Sequence, residues 1–339
     1  MILWSILSLF AGLMMWLGVA PAACADDVAD FYRGKTVTIY VASSTGGGYA
    51  IYAQLSARHL AKHLPGNPNI VVSYMPGGGG MTAANYLFNA ARQDGTALGV
   101  LFAQTQLAQS LHPKNVKYDA VKFNWIGIFA DITQAFHVSR KANASTLDAM
   151  KQIEIVAGSS GTGSGTYLLP QLANATIGTK MKIIGGYAGT SALYLAMERG
   201  EIDSFSSPWG SVTGSFPQVL KTANQVFQYG LEKNPDFPDV PLLTDLIADP
   251  TQRAMAQFLA GPSAIGRSLT APPGVPADRV AALRKAYVAM VADPDFIADA
   301  KKGKVEMGPI AGDRAQAIVD RLGKVDAAAV EMARKFATN

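Results

Sequence analysis

Residues 36–42 (TVTIYVA) form a β-branched, apolar run that predicts a buried strand. The run breaks into hydroxyls and glycines within ASSTGGGYAIY, residues 42–52, and the period then changes: Tyr49, Ala53, Ala57, Leu60 and Leu64 recur at spacings of four, four, three and four. That stripe predicts a helix with one core-facing side, ended by Pro65 and Gly66. The same succession returns three times. Residues 70–74 lead into Pro76 and four glycines, 77–80, before a helix that begins near Met81 or Thr82 and carries Tyr86, Leu87 and Ala90. Residues 154–157 lead into AGSSGTGSGTYLL and a helix from Tyr167. Residues 182–184 lead into IGGYAGTSALYLA, where Ala192, Leu193, Ala196 and Met197 continue as a helix to Gly200. Further strands are predicted at 97–103 and 202–206.

Strands alternating with helices over short links imply an α/β architecture with mainly parallel sheets covered by helices. The run WIGIFADITQAFHV, residues 125–138, is long, apolar and extended in character, with Asp131 in its middle, and predicts a crossover into a second lobe. Residues 258–269 return the chain, and APPGVP introduces a helical C-terminal region with Val280, Leu283, Tyr287 and Met290 on one stripe and a last helix near 314–335. The proline-rich stretch 234–241 reads as an ordered loop. The expected division is a first lobe of residues 26–130 with 260–339, and a second lobe of residues 131–259. Two crossings make a hinge on which the lobes close over a central cleft.

A glycine-rich turn feeding a helix leaves backbone N–H groups unpaired at the positive end of the helix dipole, which suits an anion. Four such turns, each at the end of a strand where open α/β sheets bind ligands, predict the walls of one cleft. Tyr49 and Tyr187 are expected to face it, Trp209 lies beside it, and Tyr74 is expected in the core. Asp203 is a candidate ligand contact or, alternatively, a loop-orienting residue. No loop contains Arg or Lys, so a carboxylate would be held by backbone amides, hydroxyls and bridging water.

Composition narrows this picture. The 339 residues are 49% hydrophobic and 16% charged, which excludes a largely disordered chain. The formal charge of +4 comes without a run of basic residues, which argues against nucleic acid and at most favours small acidic ligands. Residues 2–20 carry no charge and precede Pro21, Ala22, Ala23, Cys24 and Ala25. This is the layout of a secretory signal peptide, 1–25, with Ala23 and Ala25 at the A-x-A positions and export to the periplasm as its consequence. No Lys or Arg precedes the apolar core, so a retained anchor is the alternative; a lipid-modified Cys24 is a third, against which Pro21 stands where Leu is usual. Cys24 is the one cysteine, so the mature chain offers no disulfide, thiolate nucleophile or cysteine zinc site.

Catalytic patterns fail on spacing. No glycine cluster ends in Gly-Lys-Ser/Thr, Gly46 and Gly48 are followed by Ile51 where a dinucleotide fingerprint needs Gly, and no Gly-x-Ser-x-Gly elbow occurs. His59 and His63 lie four apart on the first helix but have Leu60, Ala61 and Lys62 between them, with no acid, so they read as a polar helix edge and not a metal pair. His112 precedes Pro113 in a loop, and His137 lies on the crossover. No nucleophile and base are paired, and no cofactor is expected. An exported α/β enzyme acting on a small carboxylate and a ligand-presenting sensory subunit are the competing readings.

Three segments resemble one family. VTIYVASSTGGGYAIYAQ, VVSYMPGGGGMTAANYLFNAARQDGTALGVL and IIGGYAGTSALYLAMERGEIDSF are similar to the first loop, the Pro-Gly-rich second loop and the Tyr-Gly loop with its Gly-x-x-Asp strand in the periplasmic substrate-binding proteins of tripartite tricarboxylate transporters, the TctC or Bug family. FPDVPLLTDL also fits. The resemblance implies a two-lobed Venus-flytrap fold of type II, capture of an organic acid, and delivery to a two-component membrane permease by a monomeric receptor. By position it implies ligand contacts at Ser44, Thr45, Gly46 and Gly47, at Gly78, Gly79, Gly80 and Met81, at Ser159, Gly161, Thr162 and Ser164, and at Tyr187, Gly189 and Thr190. One departure is Ala50, which stands where the family carries Asp; the change is expected to disfavour ligands with an amino group.

Overall fold

The computed structural model describes residues 23–338 except 112, 113, 163, 323, 325 and 326. The expected signal segment therefore lies outside the described residues apart from 23–25, which open the helix Ala23–Tyr32. His112 is outside them as well.

Eleven strands are described: β1 Thr36–Val41, β2 Asn69–Tyr74, β3 Ala97–Val100, β4 Asn124–Ala130, β5 Gln134–Ser139, β6 Ile155–Gly158, β7 Met181–Ile184, β8 Ser204–Pro208, β9 Ala223–Tyr229, β10 Arg267–Ala271 and β11 Ile310–Ala311. They form a six-stranded sheet in the order β11-β4-β10-β3-β1-β2 and a five-stranded sheet in the order β7-β6-β8-β5-β9. In β1, Val37, Ile39 and Val41 are fully buried while Thr36 is exposed, the period-two pattern of a covered strand. The apolar run at 125–138 becomes β4 and β5, one in each sheet, so the predicted crossover is where the chain changes lobe.

The sheets are mixed, which corrects the expectation of mainly parallel ones. β1 is parallel to β2 and β3, and β6 to β7 and β8, but β10 runs antiparallel to β3 and β4, β11 antiparallel to β4, and β5 antiparallel to β8 and β9. The antiparallel pairs come from strands beside the crossovers, where direct passage between sheets replaces the helical return that makes neighbours parallel.

The first core packs around the six-stranded sheet and includes Ile39, Leu87, Ile128, Tyr287 and Phe296. A second packs on the other sheet and takes in Leu107 and Leu111 from the helix Thr105–Leu111 and Ala333 from the helix Ala327–Thr338. These two helices come from segments expected in the first lobe. Gln171 Nε2 of the helix Gly165–Ile177 donates to Phe336 O (3.0 Å) and fastens the last helix on the second lobe, and Arg334 Nε donates to Ser110 O (3.0 Å), which ties the two helices to each other. His59 and His63 face different carboxylates, Asp299 at 3.0 Å and Asp293 at 2.8 Å, and with Arg58 and Lys62 they tie the helix Gly48–His59 and the 3₁₀ turn Ala61–His63 to the helix Pro294–Lys302 and its N-cap Asp293. Among the described residues no cluster is arranged to hold a metal ion.

Candidate functional site

The loops meet where the two sheets face each other. Ser44 Oγ donates to Ala188 O across the gap at 2.9 Å, and a Cβ on Gly161 would stand 3.2 Å from Gly79 N, so the lobes are closed on one another. Two adjoining cavities remain between them. The inner one, about 40 Å³, is bordered by Gly47, Gly48 and Tyr49, by Ser164, Gly165 and Thr166, by Gly189 and Thr190, and by Phe102, Gln104 and Gln134. The outer one, about 250 Å³, is bordered by the glycines 77–80 and by Phe102, Ser160 and Tyr187. A larger open groove of about 830 Å³ runs along the helix Ala277–Ala292, but no residue of the glycine loops lines it, and its Arg284 is paired with Asp313.

Three helices start at the inner cavity: Gly48–His59, Gly165–Ile177 and Thr190–Glu198. Their N-cap residues are Gly47, Ser164 and Gly189, and none makes a side-chain capping bond. The first-turn N–H groups of three helices thus converge on one small space, each with its dipole behind it. At the outer cavity the helix Met81–Asn89 starts in the same way, with Gly80 as its uncapped N-cap. The loop before it runs through four successive positive φ values, 135°, 55°, 65° and 96° at Gly77, Gly78, Gly79 and Gly80. No side chain is compatible with that path.

The predicted residues divide into three groups. Gly47, Tyr49, Ser164, Gly189 and Thr190 border the inner cavity, and Gly78, Gly79, Gly80 and Tyr187 border the outer one. Ser44 bridges the lobes, with Thr45 and Gly46 in the exposed turn beside it. The Ser159, Ser164 and Thr166 hydroxyls of the third loop bond within the loop. Ser159 Oγ accepts from Gly161 N (3.1 Å), Ser164 Oγ donates to Gly161 O (2.8 Å), and Thr166 Oγ1 accepts from Ser160 N (2.9 Å). Ser159 and Gly161 therefore shape the turn, and Ser160, Ser164 and Thr166 border the inner cavity. Met81 is buried and borders neither cavity.

Asp203 is corrected from ligand contact to sheet residue. Its carboxylate accepts from Val156 N at 2.8 Å, and it directly precedes β8, whereas Pro208 at the far end of β8 borders the cavity. A five-residue strand separates the two, roughly 16 Å at the usual rise. Ala50 is fully buried on the first helix and borders neither cavity.

Three residues outside the glycine loops complete the site. Arg267, the first residue of β10, is 2% exposed and lies behind Tyr49, with Cζ 3.9 Å from the ring centroid. Its Nη2 donates to Ser211 Oγ of the other lobe at 2.8 Å, and its Nη1 has no partner. A cation therefore sits one side chain from the cavity, although no loop supplies one. Gln104 borders the cavity from the residue before the helix Thr105–Leu111, and Gln134 from the start of β5. His137, by contrast, is enclosed between Ser207 Oγ and Gln225, and burial pushes its imidazole down to about 3, so it is neutral.

Glu306 spans the back of the hinge. Its backbone carbonyl accepts from Tyr52 Oη (2.6 Å) and its Oε1 from Asn234 Nδ2 (3.5 Å), and burial raises its carboxyl above the ordinary 4.5 in spite of Arg267. The folded state thus holds this proton more tightly than the unfolded chain. The contribution to stability is full below pH 4.5 and is lost as pH rises through the folded value. Glu306→Gln is expected to flatten that part of the pH–stability curve in urea titrations; an unchanged slope would mean that Glu306 titrates normally.

No family model and no curated protein matches the chain. Solved structures do. The periplasmic binding protein BugD is similar over 90% of this chain and 98% of its own, with a TM-score of 0.71 at 19% identity. MatC from Rhodopseudomonas palustris, solved with bound malate, covers 89% and 99% with a TM-score of 0.67 at 20% identity. A second R. palustris protein, solved with adipate, covers 90% and 97% with a TM-score of 0.69 at 18% identity. The chain has the two-lobed α/β fold of periplasmic binding proteins such as BugD, the architecture that the sequence resemblance implies.

Proposed function

We propose that the chain is an exported receptor of the Bug and TctC kind, which captures a small organic acid between its lobes and delivers it to a two-component membrane permease. The observation that carries this reading is the convergence of three uncapped helix N-termini on one interlobe cavity. A carboxylate there accepts several backbone N–H bonds at once and is held without a direct salt bridge. Closure removes the acid from water, and the closed surface is what the permease reads; ligand and permease are coupled through the population of that state. The malate of MatC and the adipate of the second R. palustris protein support the same ligand class.

A cognate acid raises the melting temperature as its concentration passes Kd, because it binds the folded state alone. In a thermal-shift screen of mono-, di- and tricarboxylates, at least one acid is expected to give a saturable shift and to be recovered unchanged. A panel without any shift would count against the receptor, and chemical conversion of the acid would favour an enzyme.

A further inference from the structure

A turn of the first lobe lies on a helix of the second. Residues 303–306 follow the helix Pro294–Lys302 and rest against the helix Trp209–Ser215, which follows β8. Two glycines four residues apart put bare backbone on one side of that helix. A Cβ on Gly210 would stand 2.7 Å from Glu306 Oε2, and one on Gly214 would stand 3.4 Å from Lys304 O and 3.6 Å from Gly303 O. The close contact exists because neither residue has a side chain. The same helix also meets the ligand space: it begins directly after Pro208, which borders the inner cavity, and its Ser211 takes the bond from Arg267. What moves the helix at the cavity moves it at Glu306.

Glu306 is half-buried, and the groups around it come from both lobes. Burial is the main force against its charge; Asp131 on the outgoing crossover and Asp236 in the 234–241 loop add to it, while Arg267 on β10 opposes it. Tyr52 Oη is spent on the Glu306 backbone carbonyl, and Asp236 accepts from Trp209 Nε1 at 2.9 Å. The covering groups of the second lobe are the helix at Gly210 and the Asn234 amide, whose Nδ2 donates to Oε1 at 3.5 Å. Parting of the lobes withdraws the helix, Asn234 and Asp236 together and leaves Arg267 behind. The carboxyl then returns to water beside a cation, which favours its ionised form.

We propose that Glu306 links closure to a proton: the carboxyl is neutral while the helix Trp209–Ser215 covers it and ionised once the lobes part, so that capture of an acid takes up a proton. This rests on the receptor reading of the cleft, although Glu306 itself borders neither cavity. Because the closed state holds the proton more tightly, the contribution of Glu306 to affinity is full below the ordinary 4.5 and is lost as pH rises through its closed-state value.

Malate, succinate, adipate and citrate are the probes, each titrated by calorimetry from pH ~4.5 to ~8 in two buffers of different ionisation enthalpy. With an acid that binds, the wild type is expected to take up a fraction of a proton, at most about one, that Glu306→Gln does not take up. Comparison of the two chains cancels the titration of the acid itself. Glu306→Gln is expected to match the wild type at the lowest pH and to bind more tightly at the highest, because its amide carries no charge to bury. Gly210→Ala, which occupies the place of Oε2, is expected to weaken binding at every pH. Equal proton uptake in the wild type and Glu306→Gln overturns the proposal. So does a Glu306→Gln variant that binds less tightly throughout, the result for a contact that only holds the lobes together, and so does a Gly210→Ala variant of unchanged affinity. If the wild type binds none of these acids at any pH, the receptor reading itself has failed, and the coupling falls with it.

Discussion

Replacing Arg267 by methionine is expected to weaken carboxylate binding about thirtyfold and to leave the melting temperature unchanged or slightly raised. The guanidinium packs on the Tyr49 ring at 3.9 Å, and that ring borders the inner cavity. An anion in contact with the other side of Tyr49 lies at ~8 Å from the charge, where an effective dielectric constant of ~20 gives about 2 kcal/mol, or about thirtyfold in Kd. Stability is expected to move the other way. Arg267 is 2% exposed, pairs with no carboxylate within ion-pair distance among the described residues, and has one nitrogen unpartnered. Burial of such a charge is costly, and an apolar side chain of similar length recovers that cost while keeping the contact with Tyr49. Ser211→Ala provides the contrast. It removes the 2.8 Å bond to Nη2, leaves the cation more exposed to its own desolvation penalty, and is expected to cost about 1–3 kcal/mol. Calorimetric titration and thermal melting separate the two roles. An Arg267→Met variant that melts several degrees lower with an unchanged Kd would make Arg267 a packing residue only.

Gly266→Ala is expected to be the most damaging single substitution at the hinge, at about 3 kcal/mol or more. Gly266 has φ +21° and ψ −106°, and a Cβ there would stand 2.2 Å from Ala130 O and 2.7 Å from the Cα and carbonyl carbon of Asp131. Those atoms belong to the last residue of β4 and the first of the outgoing crossover, while Gly266 directly precedes β10 on the return, so the two segments that join the lobes touch at this point. Neither is the flexible end of a side chain, and neither yields without moving a strand. Gly178 is the control: it also has positive φ, 75°, but nothing lies within 4 Å of its Cβ position. Gly178→Ala is expected to cost only the left-handed penalty, about 1 kcal/mol. Equal losses in urea unfolding would show that φ alone matters and that the crossovers are not in contact.

Much of the frame is legible in the residues. The β-branched run at 36–42 becomes β1, the apolar run at 125–138 becomes the crossover, and the glycine clusters lie where strands hand over to helices. Strand direction is not legible, because an apolar run reads the same in both senses, and so mixed sheets look parallel. The same blindness misplaces Asp203: it lies next to the right strand, at the end away from the ligand loops. The stripe of the helix Ala327–Thr338 shows that it packs but not on which core. Arg267, Gln104 and Gln134 carry a faint signal, each being a polar residue within or at the end of an apolar run. Their meeting at one cavity is set by tertiary geometry, and spacing along the chain holds no trace of it. The hydroxyls of Ser159 and Ser164 also hold the third loop together, since Ser and Thr shape turns as readily as they bind ligands.

The amide resonances of Gly48, Tyr49, Gly165, Thr166, Thr190 and Ser191 provide the most direct test of the central claim, that helix N-termini from both lobes hold one acid. Titration of isotopically labelled protein with the acid that gives the largest thermal shift is expected to move the amide protons of all three helix starts together, saturating at one acid per chain. Shifts confined to one helix start, or to the groove along the helix Ala277–Ala292, would contradict the account.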